Sequence, residues 1–200
     1  MAGRVKRGLE YWGIDASLAH EDIRPSKEWQ DEIIENLRNC HVFMPLLTDY
    51  FRESEWTDQE SGMAIVESKI IVPLSVDVQP YGFLGGYQAF KLDVDALDQS
   101  CEKILFVMRD NRKLKTKVQD SFIRSFLGST SFDDANARSK LLESLGPYSI
   151  LRVNEIIRGS LANSQIFDGF TASPKVRQFF SKNHKAVRQG LRKKFAAKFG

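Results

Sequence analysis

One short stretch of the chain combines a hydroxyl, an aromatic ring and a carboxylate at helical spacing. Ser54, Trp56 and Glu60 stand in the sequence Ser-Glu-Trp-Thr-Asp-Gln-Glu, between two strongly apolar runs. Glu60 follows Trp56 by one helical turn, so a helix through this stretch places both side chains on one face. If the apolar runs are strands of an open α/β sheet, this helix follows a strand end, where such sheets bind ligands. The stretch is therefore the candidate site of the chain.

The same spacing also has a purely structural interpretation. Thr57 and Glu60 fit a capping box, in which a helix begins at the threonine and the glutamate reaches back to its backbone N–H. Short motifs of this kind often arise by chance, so spacing alone does not separate a cap from a site. On the residues alone, both interpretations remain open.

The flanking runs 41–48 and 69–76 predict the strands that position this stretch. Both are apolar without alternation, as is typical of strands buried on both faces of a parallel sheet. Pro45 lacks a backbone N–H, so we expect local irregularity there. Weaker signals predict short strands at 14–19 and 88–92. Apolar residues at helical period predict helices at 4–12, 26–39, 56–68 and 97–108, with Ser26 as an N-cap and 49–54 as a loop.

This alternation of strands and helices predicts a parallel α/β sheet with helices on both faces. After Asp110 the pattern changes, and only helices are indicated, at about 114–127, 134–145, 149–162, 174–181 and 185–198. We therefore expect an α/β domain over residues 1–110 and an all-helical region over residues 111–200. Residues 163–167 are interpreted as a cap or turn between two helices.

Composition narrows the class of protein. A hydrophobic content of 42%, a charged content of 28% and a net charge of +3 are typical of a globular chain.

The two cysteines, Cys40 and Cys101, are too few for a disulfide framework and predict two reduced thiols. His20 and His41 have no metal-ligand spacing, so no metal site is predicted. The N-terminus lacks the apolar core of a signal peptide, and no run approaches a membrane span, so we expect a cytoplasmic protein.

Positive charge is concentrated at the C-terminus. Residues 182–200 hold seven Lys/Arg and no acid, which leaves −4 on the rest of the chain. The predicted helix over 185–198 is amphipathic, with Val187, Leu191 and Phe195 as its apolar stripe. Three interpretations remain open: a solvated or fraying terminal helix, a surface for nucleic acid or an anionic membrane, and a surface for a helical partner. The few aromatic residues here give no support for base stacking.

Four segments in register resemble a known family. They are Ala19-His-Glu-Asp-Ile-Arg-Pro-Ser26 with Trp29, the run 39–48, Tyr50-Phe51 with Ser54–Glu60, and, counted together as the fourth, a strand and loop at 70–73 and 80–82. Together these resemble a TIR (Toll/interleukin-1 receptor) domain of the prokaryotic type, over about residues 9–110. The resemblance implies a flavodoxin-like parallel sheet. Because this family begins with a strand that ends in a serine-rich stretch, we expect the first strand to be missing from this chain.

The resemblance also implies an activity. Many TIR domains cleave the bond between nicotinamide and ribose in NAD+, through an oxocarbenium-like centre. Glu60 would stabilise the developing positive charge, Trp56 would shape the pocket or stack on a ring, and Ser54 would form a hydrogen bond. NAD+ is then a substrate, and no cofactor is expected. In similar proteins the loop that matches Glu21, Asp22, Ile23, Arg24 and Pro25 moves to admit ligand and contacts the next subunit.

The leading functional hypothesis is therefore a TIR-type NAD+ nucleosidase, either a glycohydrolase or a cyclase, of bacterial antiphage immunity that self-associates through this domain. The alternative is a non-catalytic TIR module that signals through homotypic contacts. A third interpretation is an inactive product of an incomplete gene. The sequence has no glycine-rich phosphate loop, no Ser/His/Asp arrangement and no zinc spacing, so no other enzyme class is indicated.

Overall fold

A computed structural model describes residues 1–18 and 29–199, with side chains throughout these ranges except at positions 29, 30 and 55. The chain divides into two compact units. The first comprises Met1–Gly8 and Asp15–Ile104 and is called the α/β unit below. The second comprises Leu9–Ile14 and Leu105–Gly200 and is called the helical unit.

All strand pairing among the described residues of the α/β unit is parallel, as predicted. Strand β1 (Val42–Phe43) pairs with β3 (Ile70–Ile71), and Val42 lies opposite Ile70. Strand β2 (Leu46–Leu47) pairs with β4 (Leu74–Ser75), which in turn pairs with β5 (Phe90–Lys91). The expected edge strand at 88–92 is thus present as β5.

Two prolines divide the apolar runs into pairs of short strands. Pro45 separates β1 from β2, and Pro73 separates β3 from β4, at matching positions of the parallel register. Each proline lacks an N–H and so omits one ladder hydrogen bond. Each proline carbonyl still accepts, from Leu74 N at 2.9 Å and from Phe90 N at 2.8 Å. The irregularity expected at Pro45 is confirmed, and it is repeated at Pro73.

Helices surround these strands. They are α1 (Ala2–Tyr11), α2 (Trp29–Asn39), α3 (Asp49–Glu53), α4 (Glu55–Val66), a 3₁₀ turn (Gly82–Leu84) and α5 (Leu97–Asp110). A core cluster joins α2, α4 and the strands through fully or largely buried side chains, among them Leu37, Leu47, Ala64, Ile71 and Leu84. This packing fixes α4, which carries the candidate site, against the sheet.

The strand expected at 14–19 is wrong for residues 14–18, which have no regular structure. Gly13, at φ +87°, ends α1 in the left-handed conformation that favours glycine. The N–H groups of Gly13 and Ile14 donate to the carbonyls of Glu10 and Leu9, which is a Schellman cap. The N–H of Ile14 is therefore used to close a helix and cannot begin a strand.

Residues 49–53 form α3, where a loop had been expected. Thr48 is its N-cap, and Thr48 Oγ1 accepts from Phe51 N at 3.2 Å. Phe51 is buried in the core cluster. A cap and one buried ring are enough to order this short helix between β2 and α4.

The helical unit contains no strand among its described residues. Its helices are α6 (Lys115–Leu127), α7 (Phe132–Ser139), α8 (Ile150–Ala162), α9 (Ser164–Phe167), α10 (Ala172–Asn183), a 3₁₀ turn (His184–Ala186) and α11 (Gln189–Phe199). Fully buried side chains from several of them form its interior, including Phe122, Phe126, Leu142, Ile156 and Ile166. The all-helical C-terminal region is confirmed. Across both units, the described helices include none that is long and apolar enough to cross a membrane.

Local polar contacts set two boundaries in this unit. Helix α7 ends at Ser139, earlier than expected, because Leu141 and Leu142 turn back to donate to the carbonyls of Arg138 and Ser139. Asn163 confirms the predicted cap: its side chain accepts from Gln165 N at 2.9 Å. The same side chain donates to the carbonyls of residues 127 and 129, each at 2.9 Å.

The terminal helix α11 packs onto the unit through its phenylalanines, while its lysines stay exposed to solvent. Phe195 stacks on Phe180 with ring centroids 4.0 Å apart, and Phe199 meets Phe167 edge-on at 4.9 Å. Phe195 and Phe199 are 5% and 6% exposed. Of the predicted apolar stripe, Val187 and Phe195 are buried and Leu191 is half-buried.

Candidate active site

Helix α4 carries all three candidate residues. Ser54 stands at its N-cap in extended backbone conformation, and Trp56 lies in its first turn, half-buried. Glu60 follows one turn later and is 5% exposed. Trp56 and Glu60 are four residues apart within one helix, so they share a face as predicted. The chain reaches this helix directly from β2 through α3, so the N-terminal half of α4 follows a strand's carboxyl end.

The capping-box interpretation of Thr57 and Glu60 is wrong. Thr57 lies inside α4, because the helix begins at Glu55 and Ser54 is the cap. The Thr57 hydroxyl lies 2.6 Å from the carbonyl oxygen of Phe51 and 2.7 Å from that of Ser54, and donates toward them. Thr57 therefore joins α3 to α4, and Glu60 is left without the capping role that spacing alone allowed.

The burial of Glu60 distinguishes it from an ordinary surface glutamate. On the same side of α4, Ser61 is 2% exposed and Ala64 is fully buried. Ser61 Oγ donates to Thr57 O at 2.7 Å, which satisfies its hydroxyl within the helix. Removing a carboxylate from water is costly, so proteins seldom bury one without a use for its charge. In a poorly hydrated site, a carboxylate acts strongly on any nearby positive charge.

A tyrosine near the start of α4 adds a neutral polar ring that spacing did not single out. Tyr81 meets Phe51 edge-on at 6.4 Å, and the Arg52 guanidinium carbon lies 5.8 Å from the Tyr81 ring centroid. Burial and the Asp58 carboxylate raise the pKa of Tyr81, while Arg52 opposes them. Tyr81 therefore stays protonated at neutral pH. The sequence feature that pointed to Tyr81 was its position in the segment 80–82, one of the segments that resemble the TIR family.

The other side of α4 borders an open groove of about 640 Å³. Val66 and Phe83 at this groove are 82% and 74% exposed. Arg38 and Glu67 form an ion pair at 3.4 Å on its border. The lining comes from α2, α4 and the 3₁₀ turn and consists of Ile34, Leu37, Arg38, Asp58, Gln59, Gly62, Met63, Val66, Glu67 and Phe83. Sequence reasoning missed this groove, and neither Trp56 nor Glu60 lines it.

Several predicted features fall outside the described residues. These are the loop Glu21, Asp22, Ile23, Arg24 and Pro25, together with His20, the cap at Ser26 and the side chain of Trp29. Both cysteines are free thiols, with Cys101 buried and Cys40 half-buried. Where the structure describes the chain, no group of three or more His, Cys, Asp or Glu side chains is placed to hold a metal ion.

Comparison with known proteins identifies the family. A family model described as the TIR domain matches residues 1–105. No curated protein and no solved structure matches the chain significantly. The matched range takes in the five parallel strands that the structure describes, the helix that bears Glu60 and the groove beside it. This chain therefore belongs to the TIR domain family.

Proposed function

We propose that this TIR domain protein cleaves the nicotinamide–ribose bond of NAD+, with Glu60 as the residue that stabilises the ribosyl cation. The observation that supports this is the burial of Glu60 on α4, one turn after Trp56, in a stretch that resembles the S-x-W-x-x-x-E segment of TIR domains. A glutamate at a helix surface would be solvated, whereas this one is withdrawn from water.

Cleavage of the nicotinamide–ribose bond mainly requires a negative charge held beside the ribose. When the bond breaks, both bonding electrons leave with the nicotinamide nitrogen, which neutralises its ring charge. No strong general acid is therefore required. The positive charge that develops on the ribose is stabilised electrostatically by the Glu60 carboxylate. Water then adds to the ribose carbon and loses a proton, giving ADP-ribose. Trp56 shapes the pocket or stacks on a ring, and Ser54 donates a hydrogen bond to the substrate.

In this proposal, self-association regulates the activity. By resemblance to the family, the loop Glu21–Pro25, which lies outside the described residues, would contact the next subunit and admit the ligand, so catalysis would depend on protein concentration. Such a device suits cytoplasmic antiphage signalling, in which assembly follows detection of infection. TIR domain membership supports association with further copies or with other TIR proteins.

The activity is tested with concentrated protein, NAD+ and chromatographic detection of released nicotinamide. Glu60→Gln keeps the shape of the side chain and removes its charge, so we expect about a 100-fold or greater loss of rate. Glu53→Gln in α3 is the matched control, because it makes the same change at an exposed carboxylate nearby. Equal activity of Glu60→Gln and the unmodified protein would remove Glu60 from this role. Inactivity of the unmodified protein even when assembled would contradict the enzymatic proposal.

A second candidate function is a non-catalytic TIR interaction module. The groove beside α4 supports it, because Val66 and Phe83 present apolar side chains that are more than two-thirds exposed. If this surface is the interaction site, Val66→Asp abolishes association in sedimentation experiments. Val107→Asp, at an exposed apolar position of α5, is the control and should leave association unchanged. Unchanged association of Val66→Asp would exclude the groove.

A further inference from the structure

The two units carry opposite formal charge. The helical unit holds nineteen of the 29 Lys/Arg but only eight of the 26 Asp/Glu, a balance of +11. The α/β unit holds the remaining ten Lys/Arg and eighteen Asp/Glu, a balance of −8. The small net charge of the whole chain thus conceals a strongly basic unit. Such asymmetry between parts of a chain is typical of proteins that bind polyanions.

Within the helical unit, the charge is densest at residues 182–199, called the basic segment below. It contains seven Lys/Arg and no acid: Lys182, Lys185, Arg188, Arg192, Lys193, Lys194 and Lys198. Because no carboxylate is interleaved, the segment cannot neutralise itself along its own sequence. Any neutralising group must come from elsewhere in the fold or from a partner.

Hydrogen bonds and buried side chains anchor the basic segment to the rest of the helical unit. The buried Asn154 side chain on α8 donates to Ala186 O at 2.9 Å and accepts from Arg188 N at 2.8 Å. Val187, next to both contacts, is 1% exposed. Farther along, Phe195 and Phe199 are buried in the aromatic contacts described above. The segment is therefore anchored along its length, and its charged side chains are spread over the outer surface.

Some of these charges have partners within the protein. Lys182 Nζ pairs with Glu143 Oε2 at 2.5 Å, and Lys198 Nζ donates to Leu161 O at 2.7 Å. Arg192 donates to the carbonyls of Val187 and Lys185. The exposed side chains of Lys185, Arg188, Lys193 and Lys194 complete the surface. These four are the groups best placed to meet external phosphates.

The surroundings favour nucleic acid over a membrane. A helix that lies in a membrane interface inserts its apolar face among the lipids. Here that face is buried in the protein, and no large exposed apolar side chain falls within residues 182–199. An interface with another protein would normally be richer in aromatic residues and poorer in lysine. Interfaces with nucleic acid are polar and strongly positive, as this surface is.

We propose that the basic segment binds double-stranded nucleic acid through its phosphates, without reading sequence. Lys185, Arg188, Lys193 and Lys194 contact the phosphate backbone, and Asn154 holds the segment in place. A duplex is favoured because both phenylalanines of α11 are buried, so they cannot stack on the bases of a single strand. This site lies within the helical unit and does not depend on the NAD+ chemistry.

The proposal is tested with the full chain and a short duplex DNA of mixed sequence, by fluorescence anisotropy at several salt concentrations. Four phosphate contacts predict a slope of about −3.6 in log affinity against log salt. Between about 50 and 200 mM salt, this is a loss of about 100-fold. Reversing two charges in K193E/K194E should weaken binding by about tenfold or more and reduce the slope by about 2.

The matched control is R112E/K113E, which reverses two exposed charges of the same unit outside the basic segment. It should change affinity less than about threefold, and circular dichroism should show both variants folded. Equal loss of affinity in the two variants would overturn the proposal, because net charge and not the segment would then carry the binding. Absence of duplex binding at about 100 µM protein in low salt would also overturn it. So would binding to vesicles of anionic lipid, or salt-sensitive self-association, without binding to the duplex.

Discussion

The guanidinium group of Arg138 covers the ring of Tyr11, with its central carbon 4.6 Å from the ring centroid, and also donates to the Tyr11 carbonyl. Arg138 Nη1 reaches Ser125 O and Ser129 Oγ, each at 3.2 Å. One side chain of α7 thereby joins the segment Leu9–Ile14 to α6 and to the turn that follows it. These are all parts of the helical unit, so the segment belongs to that unit through specific polar contacts as well as packing.

Arg138→Met should destabilise the helical unit by about 2 kcal/mol. It preserves most of the aliphatic stem but removes charged hydrogen bonds and the contact with the Tyr11 ring. The carbonyl of Tyr11 would keep only the Ser125 hydroxyl, which donates to it at 3.0 Å. Urea unfolding followed by circular dichroism measures the change. Lys140→Met, at an exposed position just after α7, is the control and should stay within about 0.5 kcal/mol. A similarly small effect for Arg138→Met would show that these contacts add little stability.

Gly8→Ala should destabilise the α/β unit, although alanine is the better helix former. A Cβ on Gly8 of α1 would stand 2.5 Å from Cys101 Sγ and 3.2 Å from Cys101 Cβ. Relieving this overlap should cost about 1–3 kcal/mol. The double variant Gly8→Ala/Cys101→Ala should be less destabilised than the sum of the two single changes, as thermal unfolding would show.

Gly190→Ala is the control for that experiment, because no heavy atom lies within 4 Å of a Cβ built there. It should be neutral or stabilise α11 by up to about 1 kcal/mol. Strict additivity of the Gly8 and Cys101 changes would contradict the close approach of α1 and α5.

Tyr148→Phe should be neutral or slightly stabilising at neutral pH. Within the described part of the chain, the buried Tyr148 hydroxyl has no hydrogen-bond partner. The substitution therefore removes a buried polar group that makes no hydrogen bond. This should raise the free energy of unfolding by up to about 1 kcal/mol. The Tyr148 ring also packs edge-on against Phe179 at 5.8 Å, and phenylalanine preserves that contact.

The same variant should change the response to alkaline pH. Burial raises the pKa of Tyr148 above its usual value, and Arg109 only partly opposes this. The folded protein therefore holds the phenolic proton more tightly than the unfolded chain. The resulting stabilisation is complete below about pH 10 and is lost as pH rises above it. Urea midpoints should fall less steeply above about pH 10 for Tyr148→Phe than for the unmodified protein. Tyr50→Phe, at a residue 84% exposed, should not alter the profile.

The two thiols should react at different rates. Cys101 is fully buried and Cys40 half-buried, and burial raises the pKa of both thiols. Near Cys40, Lys69 partly offsets the effect. Because the thiolate is the reactive form and needs access, Cys40 should react with a disulfide reagent about ten times faster or more. Cys40→Ser should remove the fast phase, and Cys101→Ser the slow one. A fast phase that survives in Cys40→Ser would contradict the burial of Cys101.

Hydrophobic pattern predicted the parallel strands, the main helices and the change in character near Asp110. It did so because these features depend on which side chains avoid water. The hydrophobic pattern could not predict features that depend on single hydrogen bonds. The N–H of Ile14 closes α1, and Thr48 caps α3, yet neither contact has a periodic signal. Ser139 likewise ends α7 inside a stretch whose helical pattern continues.

For the candidate site, the spacing of Trp56 and Glu60 was enough to predict a shared helical face. It was not enough to choose between a cap and a site, since the same spacing is compatible with both. The structure excludes the capping box because α4 begins at Glu55, a boundary that no periodicity shows. The groove on the other side of α4 was unpredictable for another reason: its lining converges from α2, α4 and a turn that are distant in sequence.

The matched prolines at 45 and 73 have a consequence for the unfolded chain. The two runs they divide are among the most apolar of the α/β unit, and without proline each would be a six-residue segment of the kind that forms amyloid. A proline in the middle of each run removes the N–H that a stacked copy would need, while its carbonyl still serves the native ladder. The interruptions that make these strands short therefore also protect newly made chains against aggregation.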